Sequence, residues 1–150
     1  MIFASLVDKE FAFLVTEYGF LRVDSPPDGV GESAEYVKDP ITVSFGWYKG
    51  EVDIDFHVSL EFAADHAIFR PYISRTFALS EVALGQDREA YASWAARPHP
   101  GSYITSPDEA LAFLVESARI MRRYGAPILR GDLTLLEQIT NKRWIRIPGA

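Results

Sequence analysis

The fold is decided by residues 41–60, which read ITVSFGWYKGEVDIDFHVSL. On both sides of Lys49-Gly50, apolar side chains alternate with polar or small ones, which is the two-residue period of half-buried strands. The pattern predicts a β-hairpin with a two-residue turn at Lys49-Gly50. In this register the apolar residues face one another, and the predicted pairs are Trp47–Val52, Phe45–Ile54, Val43–Phe56 and Ile41–Val58. One face of the hairpin is therefore expected to lie in the core.

The opposite face of the predicted hairpin is polar. It carries Thr42, Ser44, Gly46 and Tyr48 on one strand and Glu51, Asp53, Asp55 and His57 on the other. Carboxylates beside an imidazole are ingredients of acid–base catalysis or of a metal site. Alternate residues on a strand lie about 6.6 to 6.8 Å apart, however, which is too far to chelate one small ion unless the side chains converge. The row therefore fits a solvated surface or a binding surface better than an active site.

Hydrogen-bond partners for this row are expected directly across the hairpin. The predicted register places His57 opposite Thr42 and Asp55 opposite Ser44, so each has a hydroxyl group within reach. The candidate binding residues of this face are Tyr48, Glu51, Asp53, Asp55 and His57. No catalytic residue and no metal ligand is assigned.

Length and composition favour one domain. The chain has 150 residues, of which 48% are hydrophobic, and this is enough to bury a core. It contains no cysteine, so neither a disulfide nor a thiolate contributes. The N-terminus lacks the basic opening of a signal peptide, and no apolar run reaches the roughly 18 residues of a membrane span. We expect a soluble, cytoplasmic protein without a cofactor.

The segments before the hairpin predict a helix followed by strands. Apolar residues at spacings of three and four predict a helix over 3–18, which Gly19 ends in a left-handed conformation. Short strands are predicted over 20–24 and 34–38, with a loop of prolines and glycines between them. Asp39-Pro40 ends the second of these strands.

Beyond the hairpin, one more strand and several helices are predicted. Residues 72–79 alternate as a strand of the same sheet, and Ser80 is expected to cap a short helix that Gly85 closes. Ser106, Pro107 and Glu109 form a capping box that predicts a helix to Tyr124. Its expected inward residues are Leu111, Leu114, Val115, Ala118 and Met121.

The last part of the chain predicts a break and then a final helix. Ala126-Pro127 is expected to break the chain, and Asp132 to cap a helix over 133–142. The order of elements predicts an α+β fold: an antiparallel sheet built on the central hairpin, with one face covered by the N-terminal helix and the C-terminal helices.

Charge is distributed unevenly along the chain. The net charge is −6, but residues 1–61 hold 12 acidic and 4 basic side chains, whereas residues 62–150 hold 9 acidic and 11 basic ones. An acidic surface disfavours nucleic acid and attracts basic partners or cations. Many such carboxylates merely solvate a protein surface.

Sequence motifs for known chemistry are missing. The histidines at 57, 66 and 99 fit no zinc motif, and the chain has no GxSxG, P-loop or GxGxxG. Trp94 lies with other aromatic residues beside a proline-rich loop, a composition found in interface hot spots, although anchoring a helix to the core is the more common role of such a residue. Trp94 is therefore a further candidate binding residue.

Four segments carry a resemblance to a known kind of protein. They are EYGF at the end of the first helix, the hairpin SFGWYKGEVDIDFHV, the step FALSEVALG, and PILRGD between the last two helices. Together these resemble small uncharacterised bacterial proteins, some of which are similar to the immunity proteins of toxin systems. The resemblance implies a protein that binds a partner, and it brings no catalytic residues.

Three functions are compatible with these observations. The first is a non-enzymatic protein-binding domain, immunity-like, that covers a basic surface with its acidic face. The second is a small hydrolase or metal-dependent enzyme that uses Asp53, Asp55 and His57. The third is a self-associating structural subunit in which Trp94 or Trp144 is buried between protomers.

Overall fold

An antiparallel sheet and the helices packed against one of its faces make up the fold. The computed structural model describes residues 2–24, 31–59, 61–62, 75–89, 92 and 104–146, and it describes residues 143–146 by their backbone alone. The described elements are α1 (Ile2–Glu10), α2 (Phe13–Thr16), β1 (Leu21–Val23), β2 (Glu32–Lys38), β3 (Ile41–Tyr48), β4 (Glu51–Val58), β5 (Thr76–Ala78), α3 (Leu79–Gln86), α4 (Pro107–Tyr124), α5 (Ala126–Leu129) and α6 (Thr134–Arg146). The predicted α+β architecture is confirmed.

The five strands form a meander in the order β1-β2-β3-β4-β5, in which every neighbouring pair is antiparallel. The central hairpin has the predicted register, with Phe45 opposite Ile54 and Ile41 opposite Val58. Both turn residues have a left-handed backbone, with φ of 49° at Lys49 and 81° at Gly50. Two such residues match the right-handed twist of the strands they connect, so this turn fixes the register.

The inner face of the sheet supplies the centre of the core. Phe45 and Phe56 on the hairpin are fully buried, as are Phe3 and Leu14 from the N-terminal helices. The ring of Phe11 lies 4.5 Å from that of Phe45, which joins the N-terminal segment directly to β3. Residues on the outer face of the sheet are half-buried or exposed.

The predicted N-terminal helix is interrupted, and this corrects the single helix expected over 3–18. A turn at residues 11–12 separates α1 from α2. Phe11 and Phe13 are both buried, although residues two apart lie on opposite sides of a helix. The turn lets both rings enter the core. Gly19 ends the segment as predicted, with φ of 76°, and its amide donates to the Val15 carbonyl at 3.3 Å, as in the αL motif of a helix end.

The step from β5 into α3 also differs from the prediction. Helix α3 begins at Leu79, its N-cap is Ala78, and Gly85 lies inside it, so Ser80 is not the cap and Gly85 is not the end. An alanine side chain cannot accept a hydrogen bond. Instead, the Glu81 carboxylate accepts the Ala78 amide at 3.2 Å, which stabilises the start of the helix. Leu79 is thereby buried in the core.

Helix α4 has the predicted bounds, and the Ser106 hydroxyl accepts the Glu109 amide at 3.2 Å. Leu114, Ala118 and Met121 are buried as predicted, but Val115 is 49% exposed and Leu111 is half-buried. The buried side of the helix is broader than predicted, and it does not include Val115. It also includes Ala110, Phe113, Ser117, Ile120 and Tyr124.

The end of the chain is more helical than predicted. Ala126-Pro127 does not break the chain but begins the short helix α5, since proline needs no amide hydrogen in the first turn. Asp132 accepts hydrogen bonds from the amide (3.0 Å) and the hydroxyl (2.7 Å) of Thr134, the first residue of α6. No helix in the described part of the chain is both long and apolar enough to cross a lipid bilayer.

Candidate binding face

The polar row of the hairpin lies on the outer face of the sheet, opposite the core. Glu51, Asp53 and Asp55 alternate with buried residues along β4, so their carboxylates share one face. Across the hairpin, Glu51 pairs with Tyr48, Asp53 with Gly46 and Asp55 with Ser44. The structure thus brings together the predicted residues of this row.

A fourth carboxylate on this face, that of Glu35, was not predicted. The pairing of β2 with β3 places Glu35 opposite Ser44, which is itself opposite Asp55. Glu35 alternates with the buried residues Ala34 and Tyr36, and it therefore faces outward. We call Glu35, Glu51, Asp53 and Asp55 the acidic face. The signal for Glu35 was present in the tight turn at Asp39-Pro40, which places Lys38 opposite Ile41 and fixes the register of β2.

His57 is held by hydroxyl groups on both sides of its ring. Its Nε2 lies 2.7 Å from the Ser44 hydroxyl, and its Nδ1 lies 2.9 Å from the Thr76 hydroxyl. The expected partner was Thr42, directly opposite, but the imidazole reaches diagonally to Ser44 and across to β5 instead. A neutral imidazole has one donor and one acceptor, and hydroxyl groups can satisfy both. Binding a metal through either nitrogen would require breaking one of these hydrogen bonds.

Asp55 is the residue of the acidic face whose carboxyl pKa is raised. Partial burial raises the pKa of its carboxyl above the ordinary value of 3.8, and the nearby carboxylates of Asp53 and Glu81 raise this pKa further. His57 acts in the opposite direction, but its effect does not cancel the others. The charged form of Asp55 is therefore disfavoured in the fold, and a cation brought to this face would relieve that cost.

The carboxylates of the acidic face have no cationic partner among the described residues. The ion pairs among the described residues are Arg22–Asp8, Arg119–Glu116 and Arg122–Glu17, and none of them includes a residue of the acidic face. Within the same residues, no three histidine, aspartate or glutamate side chains lie close enough to hold a metal ion together.

The rest of the outer face is open and partly apolar. Tyr48 is 43% exposed, and a Cβ added at Gly46 would meet no atom within 4 Å. At the β1 edge of the sheet, Leu21 and Val23 are exposed, at 72% and 39%. Along β1 and β2 the face therefore offers apolar contacts beside the carboxylates.

The remaining predicted site residue, Trp94, falls outside the described residues, as does the side chain of Trp144. No known protein family, curated protein or solved structure matches this chain. The assignment of the acidic face therefore depends on its geometry and on its charge.

Proposed function

We propose that this chain is a non-enzymatic protein-binding domain that holds a basic protein surface against its acidic face. The observation that carries the proposal is a set of four outward carboxylates without an intramolecular cation among the described residues. Burial and the neighbouring carboxylate of Asp53 disfavour the charged form of Asp55, and a basic partner would relieve this cost.

The shape of the face supports a protein partner rather than a small substrate. Small molecules generally bind in concave sites that bury most of their surface. The acidic face is the outer side of a sheet, with an open position at Gly46 and exposed side chains at Tyr48 and Leu21. Tyrosine and apolar groups beside charges are typical of surfaces that bind proteins.

The state of His57 also favours binding over catalysis. Both ring nitrogens already contact hydroxyl groups, so the imidazole orients the surface instead of presenting a free base. We therefore rank the hydrolase or metal-dependent enzyme that would use Asp53, Asp55 and His57 below the binding domain. The self-associating subunit would bury Trp94 or Trp144 and not the acidic face, so it is a separate alternative.

The more specific form of the proposal is an immunity-like protein that blocks the basic surface of a toxin. It rests on the resemblance of the hairpin and helix-end segments to such proteins, together with the charge of residues 1–61. A toxin that acts on an anionic substrate needs a basic active surface, and an acidic face can cover such a surface.

Affinity capture from the native cell tests the proposal. The bait is the wild-type chain, and a face variant combines Glu51→Gln, Asp53→Asn and Asp55→Asn. A charge-matched control combines Glu10→Gln, Glu89→Gln and Asp108→Asn, because these carboxylates lie on helical segments and not on the strands of the acidic face. We expect the wild-type chain and the control to capture the same basic protein, and the face variant to lose it.

Two results would contradict the proposal. One is a captured protein that the face variant retains as well as the control does. The other is that Asp53→Asn, Asp55→Asn and His57→Gln together abolish a hydrolytic activity or a metal-induced thermal stabilisation of the wild-type chain, which would favour the enzyme instead.

A further inference from the structure

A groove between α3 and α6 is separate from the acidic face. Its volume is about 350 Å³. It is lined by Leu84 and Gly85 of α3, Ile139 and Lys142 of α6, and Arg88 just beyond α3. Small-molecule sites occupy roughly 300–1,000 Å³, so this groove has room for a small ligand.

Gly85 lies in the lining of the groove. A glycine inside a helix costs about 1 kcal/mol relative to alanine. Its backbone does not have a positive φ, and a Cβ added there would meet Leu135 Cδ1 at 3.6 Å, an ordinary contact. Neither the backbone conformation nor close packing requires glycine at this position. The missing side chain instead leaves space between the two helices.

The groove has an apolar wall and a cationic end. Leu84 is 42% exposed although it lies beside the buried Ile139, so an apolar ligand would remove apolar surface from water. Arg88 and Lys142 are exposed at the same groove. The one carboxylate in the lining, Glu81, lies seven residues before Arg88 and accepts the amide that begins α3.

We propose that this groove binds a small amphipathic anion, a carboxylate with an aliphatic tail of about eight carbons. The tail lies along Leu84, Gly85 and Ile139, and the carboxylate lies between Arg88 and Lys142. Charge complementarity selects the anion, because the cations outnumber the single acid of the lining. This site is independent of the acidic face, and neither needs the other.

Titration with octanoate, followed by amide chemical shifts, tests the site. We expect saturable shifts at residues 84, 85 and 139, and weaker binding of octanol and octylammonium. Gly85→Leu fills the groove and should weaken octanoate binding at least about tenfold, whereas the matched variant Gly85→Ala should change it by less than about twofold. Removing both cations by Arg88→Gln and Lys142→Gln should weaken it about fivefold or more.

The site is overturned if 10 mM octanoate, roughly the weak limit of such ligands, leaves these amides unshifted. It is equally overturned if octanol or octylammonium binds as tightly as octanoate, or if Gly85→Leu and Gly85→Ala bind alike. Thermal unfolding establishes that each variant is folded. If Gly85→Leu does not fold, the test is the surface variant that combines Arg88→Gln with Lys142→Gln. Unchanged octanoate affinity in that variant rejects the proposal.

Discussion

At the scale of single residues, Asp55 links the acidic face to stability. Its pKa is raised in the fold, chiefly by burial. The folded state therefore holds the proton more tightly than the unfolded chain does, and stability is lost as the pH rises through the raised pKa. Below the ordinary value of 3.8, both states are protonated and this cost is absent.

Replacing Asp55 with asparagine removes that cost at neutral pH. We expect Asp55→Asn to raise the midpoint of thermal unfolding at pH 7 by about 1–3 °C, a small gain because solvent screens a half-exposed group. The gain should shrink as the pH is lowered toward 3.8. Glu51→Gln is the control, since Glu51 is exposed on the same strand and is not a cause of the raised pKa of Asp55. A gain at pH 4 equal to that at pH 7 would refute this account.

Two glycines of the sheet region differ in what a side chain would meet. A Cβ at Gly31 would lie 2.6 Å from the Trp47 carbonyl oxygen, which is backbone and cannot move freely, whereas a Cβ at Gly46 has open space. We expect Gly31→Ala to destabilise the fold by about 1–3 kcal/mol. Gly46→Ala should be neutral or stabilising by up to about 1 kcal/mol. Chemical denaturation measures both, and equal losses in the two variants would show that the close approach is not the cause.

At the scale of elements, helix starts depend on which group satisfies the first amides. Ser106 accepts the Glu109 amide, whereas Ser80 lies inside α3 and the cap position there is Ala78. We expect Ser106→Ala to cost about 1 kcal/mol of unfolding free energy, and Ser80→Ala to change it by less than about 0.5 kcal/mol. Denaturant titration distinguishes them. A larger loss from Ser80→Ala would mean that Ser80, not Glu81, stabilises the start of α3.

The elements that sequence predicts best are those for which two independent sequence signals agree. The hairpin has both an alternating pattern and a two-residue turn, and α4 has both a capping box and an apolar stripe. The interruption at residues 11–12 escaped prediction because periodicity does not reveal that Phe11 and Phe13 are both needed in the core. The start of α3 escaped it because Ser80 is the better cap locally, but burial of Leu79 outweighs that preference.

The same distinction applies to the candidate site. The row on β4 follows from the register of one hairpin and was predicted. Glu35 belongs to the acidic face through the register that the turn at Asp39-Pro40 sets between β2 and β3, a local signal that was missed, whereas Thr76 reaches His57 only through the pairing of β5 with β4. Such contacts depend on the order and register of several strands, which local patterns do not specify.

At the scale of the whole molecule, four of the twelve acidic residues in the first 61 positions form one surface, the acidic face. Its carboxylates belong to β2 and β4 and point away from the core. If a basic partner binds there, the attraction is partly exposed to solvent and is screened by salt. We expect the affinity for the captured protein to fall by about tenfold or more between 50 and 500 mM salt, as measured by calorimetry. Affinity independent of salt would indicate an apolar interface through Leu21 and Val23 instead.

The dissociation constant of the purified complex, compared among three forms of the chain, tests the central claim most directly. The forms are the wild type, the face variant Glu51→Gln with Asp53→Asn and Asp55→Asn, and the charge-matched control Glu10→Gln with Glu89→Gln and Asp108→Asn. We predict that the face variant binds about 10- to 100-fold more weakly than the wild type, while the control stays within about threefold. Equal weakening in the face variant and the control would contradict a binding site on the acidic face.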